Sequence, residues 1–157
     1  MPKPPEFDKA FATSRFIALA FAGCLMLDLL LEEILRSRFQ SFLGFANAKD
    51  VITLRYGCFA AAVAAVIFLR VVHGRLLAAA SRADGGAAVR LLFREAVISL
   101  TLAETPALIG LALFLLAGLN KDFYFLLFAS IVLVFIYFPR AAAWETVFEK
   151  RRPVCPL

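Results

Sequence analysis

The stretch AVISLTLAETPALIGLALFLLAGL, residues 96–119, carries a single charge, Glu104. As a helix rising 1.5 Å per residue it is about 36 Å long, enough to cross a hydrocarbon core of about 30 Å. A carboxylate near the centre of such a helix costs about 2.5–3.5 kcal/mol on insertion scales. Glu104 therefore requires a buried partner or a role in handling protons or ions.

Three further runs are apolar enough to cross a membrane, at about residues 16–35, 56–72 and 123–138. The chain is 62% hydrophobic and only 18% charged, with a mean hydropathy of +0.84. That excludes an ordinary soluble domain of this size. The sequence predicts an all-α, polytopic membrane protein, with four transmembrane helices in one membrane domain over 1–157.

The net charge of +5 is distributed as a topology signal. Lys3, Lys9, Arg15, Arg70, Arg75, Arg82, Arg90, Arg94, Arg140, Lys150, Arg151 and Arg152 flank one side of the apolar runs. Only Arg36, Arg38, Lys49, Arg55 and Lys121 flank the other. Twelve against five predicts an N-in/C-in arrangement, with the second loop also cytoplasmic. Basic residues so placed meet lipid head groups rather than nucleic acid, so the lipid bilayer is the expected partner. The first run follows Lys9 and Arg15 as a signal peptide would. It contains Asp28, ends in Glu32-Glu33 and lacks a small-residue cleavage site, so it reads as an uncleaved helix.

Cys24, Cys58 and Cys155 have no paired spacing, and His73 is the single histidine. No disulfide framework, metal site or cofactor is expected. Neither a Ser–His–acid set nor a phosphate-binding glycine loop is present in the sequence, and no enzymatic activity is expected.

Between the runs, Phe39, Phe42, Leu43 and Phe45 predict an interfacial segment at about 39–46, with Gly44 and Asn47 as breakers. Gly57, Ala60, Ala61, Ala64 and Ala65 form a small-residue strip on the second helix. The strip predicts close packing inside the monomer, with an oligomer interface as the alternative. Asp84-Gly85-Gly86 marks a turn. Gly118 suits a helix C-cap and Asp122 an N-cap. Tyr124 and Tyr137 bracket the fourth helix as interface anchors. Residues 141–150 predict a second interfacial segment, with Trp144 seated among head groups.

Glu104 falls near the midplane. Asp28, on the first helix, lies about one turn further out, so the two carboxyls can meet in a compact bundle. Two carboxyls in one apolar site do not both ionise, so Glu104 is either a reversible proton or cation site or a neutral acid that hydrogen-bonds inside the bundle and specifies helix packing. Pro106 frees the Leu102 carbonyl, for which Thr101 and Glu104 are the local partners. Glu32 or Glu33 is expected to pair with Arg55, and Arg70 with Glu95. Two functions follow. One is a non-enzymatic accessory or oligomeric subunit holding a proton on Glu104. The other is a stand-alone ion or small-solute transporter using Glu104 and Asp28.

The hairpin from about Tyr56 to Leu119 resembles the c subunit, or proteolipid, of rotary ATP synthases. Ala103-Glu104 and Gly110-Leu111 match that family's ion-carrying helix, and Arg82 occupies the basic place of its cytoplasmic loop. Arg82-Ala83-Asp84 stands where the family has Arg, then Asn or Gln, then Pro. The resemblance implies that Glu104 is an ion-binding carboxylate. Ala103-Glu104, Pro106, Gly110-Leu111 and Phe138-Pro139-Arg140 together resemble a family of small, uncharacterised bacterial four-helix membrane proteins, distantly similar to the proteolipid. That likeness implies the bacterial inner membrane, and copies of itself or a larger membrane complex as partners.

Overall fold

The computed structural model describes residues 6–39, 44–45 and 51–149. Among them the chain is all α, with helices α1 (Glu6–Arg38), α2 (Val51–Arg82), α3 (Gly85–Ala117), α4 (Asn120–Ile136) and α5 (Ala141–Glu149). The first three are each long and apolar enough to cross a membrane. α4 reaches that length only together with α5, from which it is bent by 51°. Most of the expected segment at 39–46, and Cys155, lie outside the described residues.

Each long helix overruns its apolar run. α2 continues to Arg82 and α3 begins at Gly85, so the break falls at the turn expected around Asp84-Gly85-Gly86. Ala, Leu and Arg dominate the overrun ends and are strong helix formers. Hydropathy therefore marks the length suited to lipid, not the length of the helix. The turn is reduced to Ala83-Asp84, and the Asp84 carbonyl accepts the amides of Ala87 at 2.8 Å and Ala88 at 3.1 Å.

α3 is the central element, packed against α1, α2 and α4. The carboxylate of Glu6 lies beside Gly86, so α1 and α3 start together and run parallel, with α2 antiparallel to α3. Phe16, Leu27, Ile67, Phe125 and Phe135 are exposed on the outside of the bundle, as suits helices surrounded by lipid. One core joins Ala18, Leu25, Leu69, Leu100, Ala103, Ala107 and Phe114 to Phe123 and Leu127 of α4.

A second core occupies the overrun ends. Phe7, Ala80, Val89, Leu92 and Ala96 meet Trp144 and Val147 of α5. Trp144 is 3% exposed, with its ring edge-on to Phe7 at 5.8 Å and to Phe11 at 5.5 Å. The expectation that Trp144 seats among head groups is thus corrected. The α4–α5 bend turns α5 back onto these helix ends, which offer more apolar contact than a lipid surface does.

Two glycines act as read. Gly118 is left-handed (φ 67°) and donates its amide to Phe114 O at 2.7 Å, ending α3. Gly44 (φ 89°) lies against the end of α3, where a Cβ would come within 2.3 Å of the Leu116 carbonyl oxygen. Asp122 is not an N-cap, because α4 already begins at Asn120.

The α2 strip lies open at the edge of the α2–α3 contact rather than inside it. Gly57, Ala60, Ala61 and Ala64 are exposed, and a Cβ at Gly57 would meet nothing within 4 Å. α2 instead buries Ala62 and Leu69, so the expected packing inside the monomer is corrected. Tight packing falls elsewhere, at Gly110, where a Cβ would approach Leu126 Cβ to 3.0 Å.

Candidate functional site

Two partnered acids bracket the apolar length. At one end Arg55 of α2 donates to Asp122 Oδ1 of α4 at 2.8 Å. At the other, His73 Nδ1 of α2 lies 2.5 Å from Glu95 Oε1 of α3, which also accepts from Ser99 Oγ at 2.9 Å. The His73 ring stands edge-on to Tyr137, 4.8 Å between centroids. Positions 55 and 73 of α2 are about 27 Å apart along a helix axis, close to the thickness of a hydrocarbon core.

Both pairings differ from those expected. Glu95 takes His73 rather than Arg70, and Arg55 takes Asp122 rather than Glu32 or Glu33. The second change has a topological cause. α3 lies between α1 and α2, so an arginine on α2 cannot reach the acids of α1.

Glu104 lies about 14 Å along α3 from Glu95, near the middle of the span. It is half-buried, as is Asp28 on the facing side of α1. The two carboxyls are close enough to act on one another electrostatically. No cation is paired with either one among the described residues. Asp28 Oδ2 is buried without a hydrogen-bond partner.

The supporting residues are placed differently from expectation. The Thr101 hydroxyl donates to Val97 O at 3.0 Å and that of Thr105 to Thr101 O at 3.1 Å. Thr101 therefore serves its own helix rather than Glu104. Pro106 is buried, and beside it the Ala107 amide donates to Ser130 Oγ of α4 at 2.8 Å. In a regular helix that amide would bond to the carbonyl of Ala103. A serine from the neighbouring helix thus compensates the proline interruption.

One acid of the cluster was misread from sequence. Glu32, one helical turn beyond Asp28, is fully buried at 0% exposure. Its Oε2 accepts from Tyr124 OH at 2.6 Å, while Oε1 has no partner. The same hydroxyl lies 3.5 Å from Oε2 of Glu33, which is exposed and bound to Arg36 at 2.9 Å. The signal available in the sequence is the spacing 28/32, which places both acids on one face of α1. The adjacent pair Glu32-Glu33 disguises it as an ordinary helix end.

No protein-family model, curated protein or solved structure matches the chain. Fold and site alone define its class: a small helical membrane protein. Within it, three acids that form no salt bridge among the described residues gather beside the central helix.

Proposed function

We propose that the chain is a non-enzymatic, proteolipid-like membrane subunit in which Glu104 and Asp28 hold a proton between them. The observation carrying this reading is their electrostatic proximity across the α1–α3 contact, with no cation paired to either among the described residues. Two such groups in an apolar setting are relieved by protonation of one. Ionisable groups within membrane helices are conserved for proton and ion handling more than for packing. The basic ends support four crossings with both termini cytoplasmic, and the family resemblance suggests a bacterial inner membrane.

The outward face of α2 supports membership of an oligomer or larger complex. Gly57 and Ala61 line an open groove of about 580 Å³ between α2 and α3, together with Cys58, Ile109 and Ala112. Smooth grooves of this kind let a second helix approach closely in lipid.

Dicyclohexylcarbodiimide, which adds to protonated carboxyls in apolar sites, tests the reading. In native membranes it labels Glu104, more slowly at high pH, and Glu104→Gln abolishes the label. Absence of any label on Glu104 across the pH range would reduce this residue to a packing role.

A further inference from the structure

We propose that Asp28, Glu32 and Tyr124 form a one-sided proton path. It joins Glu104 to the surface at the end of the bundle that carries Arg36 and Arg55. The inference rests on the proton-binding reading of Glu104 and Asp28 and adds the route by which that site is filled.

The geometry is a ladder of oxygen atoms. Asp28 lies within electrostatic reach of Glu104, and Glu32 follows one turn later, about 6 Å along α1. Each of these two α1 acids leaves one buried oxygen without a partner. Glu32 is completely enclosed, yet its bound hydroxyl, Tyr124 OH, also lies beside the exposed Glu33. One phenol therefore spans the boundary between a sealed carboxyl and an open one.

Among the described residues no cation forms a salt bridge with Asp28, Glu32 or Glu104, and the charge that acts on Glu32 is that of Arg36. On α1 itself the facing groups are Asp28, Glu33 and Arg36, and Arg36 is exposed and held by Glu33. α3 contributes Glu104 and α4 contributes Tyr124. Arg55, on α2, is held by Asp122. In the opposite direction the ladder stops: α3 has no carboxyl between Glu95 and Glu104, and α1 none between Asp8 and Asp28.

Outward transfer balances without any change in heavy-atom bonding. Protonated Glu104 gives its proton to the Asp28 carboxylate, which passes it to Glu32. The Glu32 O–H bond then breaks as the proton moves to the Tyr124 oxygen, while the original Tyr124 O–H bond breaks and that proton joins Glu33. Tyrosine ends neutral, Glu32 ends as a carboxylate, and Glu33 releases the proton to water. Rotation of the tyrosine hydroxyl resets the bridge.

The test uses the full chain in liposomes with one orientation. A fluorescent carbodiimide reports how fast Glu104 labelling follows a pH jump imposed on either face. Labelling is expected to follow a jump on the Arg36/Arg55 face and to ignore one on the other. Tyr124→Phe, which keeps the ring, and Glu32→Gln, which keeps the volume, are expected to label as fully at equilibrium. Their response to the jump should slow about a hundredfold, the low end for loss of a positioned proton-transfer group. Wild-type speed in both variants, or equal response from both faces, overturns the path while leaving the Glu104 reading intact. A Glu104 that never labels in the wild type overturns the reading and the path together.

Discussion

The buried acids of this molecule fall into two groups that differ in company rather than in depth. Asp122 and Glu95 are both nearly enclosed, and each meets a basic side chain, Arg55 and His73 respectively. They stand at the two ends of the apolar length, where α2 brings its polar side chains to α3 and α4. Asp28, Glu32 and Glu104 lie on the α1 side, and among the described residues none of them forms a salt bridge, Glu32 accepting instead from Tyr124. The difference teaches that topology assigns the roles. A central α3 keeps the cations of α2 away from α1, so the acids facing α1 form no salt bridge with them among the described residues, and the proposed function makes them the proton acceptors.

This contrast can be broken by substitution. Glu95→Ala should have the largest effect, about 2 kcal/mol of lost stability, because it strips both His73 and the buried Ser99 hydroxyl of their acceptor. Thermal unfolding of the detergent-solubilised protein measures it. Asp122→Ala should cost about 1 kcal/mol or less and depend on salt, since its partner Arg55 is half-exposed. Glu104→Gln should change stability by no more than about 0.5 kcal/mol, having no paired group to orphan. A cost for Glu104→Gln equal to that for Glu95→Ala would erase the distinction and make Glu104 a structural acid.

The sequence made some of this legible and hid the rest for identifiable reasons. Glu104 and Asp28 stand out because a charge inside an apolar run is conspicuous in one dimension. Gly118 and Gly44 stand out because only backbone geometry calls for glycine there. Neighbour relations are not one-dimensional: the partners of Arg55 and Glu95, and the outward turn of the Gly57–Ala64 face, depend on α3 being central. Trp144 was misread because an amphipathic segment near a membrane looks the same whether it meets lipid or a second core. Ser130 carries no signal at all until α4 is placed beside Pro106.

The central claim is that Glu104 and Asp28 hold a proton between them at neutral pH. Infrared spectroscopy of the reconstituted protein at neutral pH tests it directly through the C=O band of a protonated carboxyl. A band that is present in the wild type, lost or shifted in Glu104→Gln and Asp28→Asn, and unchanged in Asp122→Asn is the predicted result. A spectrum with no protonated-carboxyl band, or one whose band disappears only in Asp122→Asn, would contradict it.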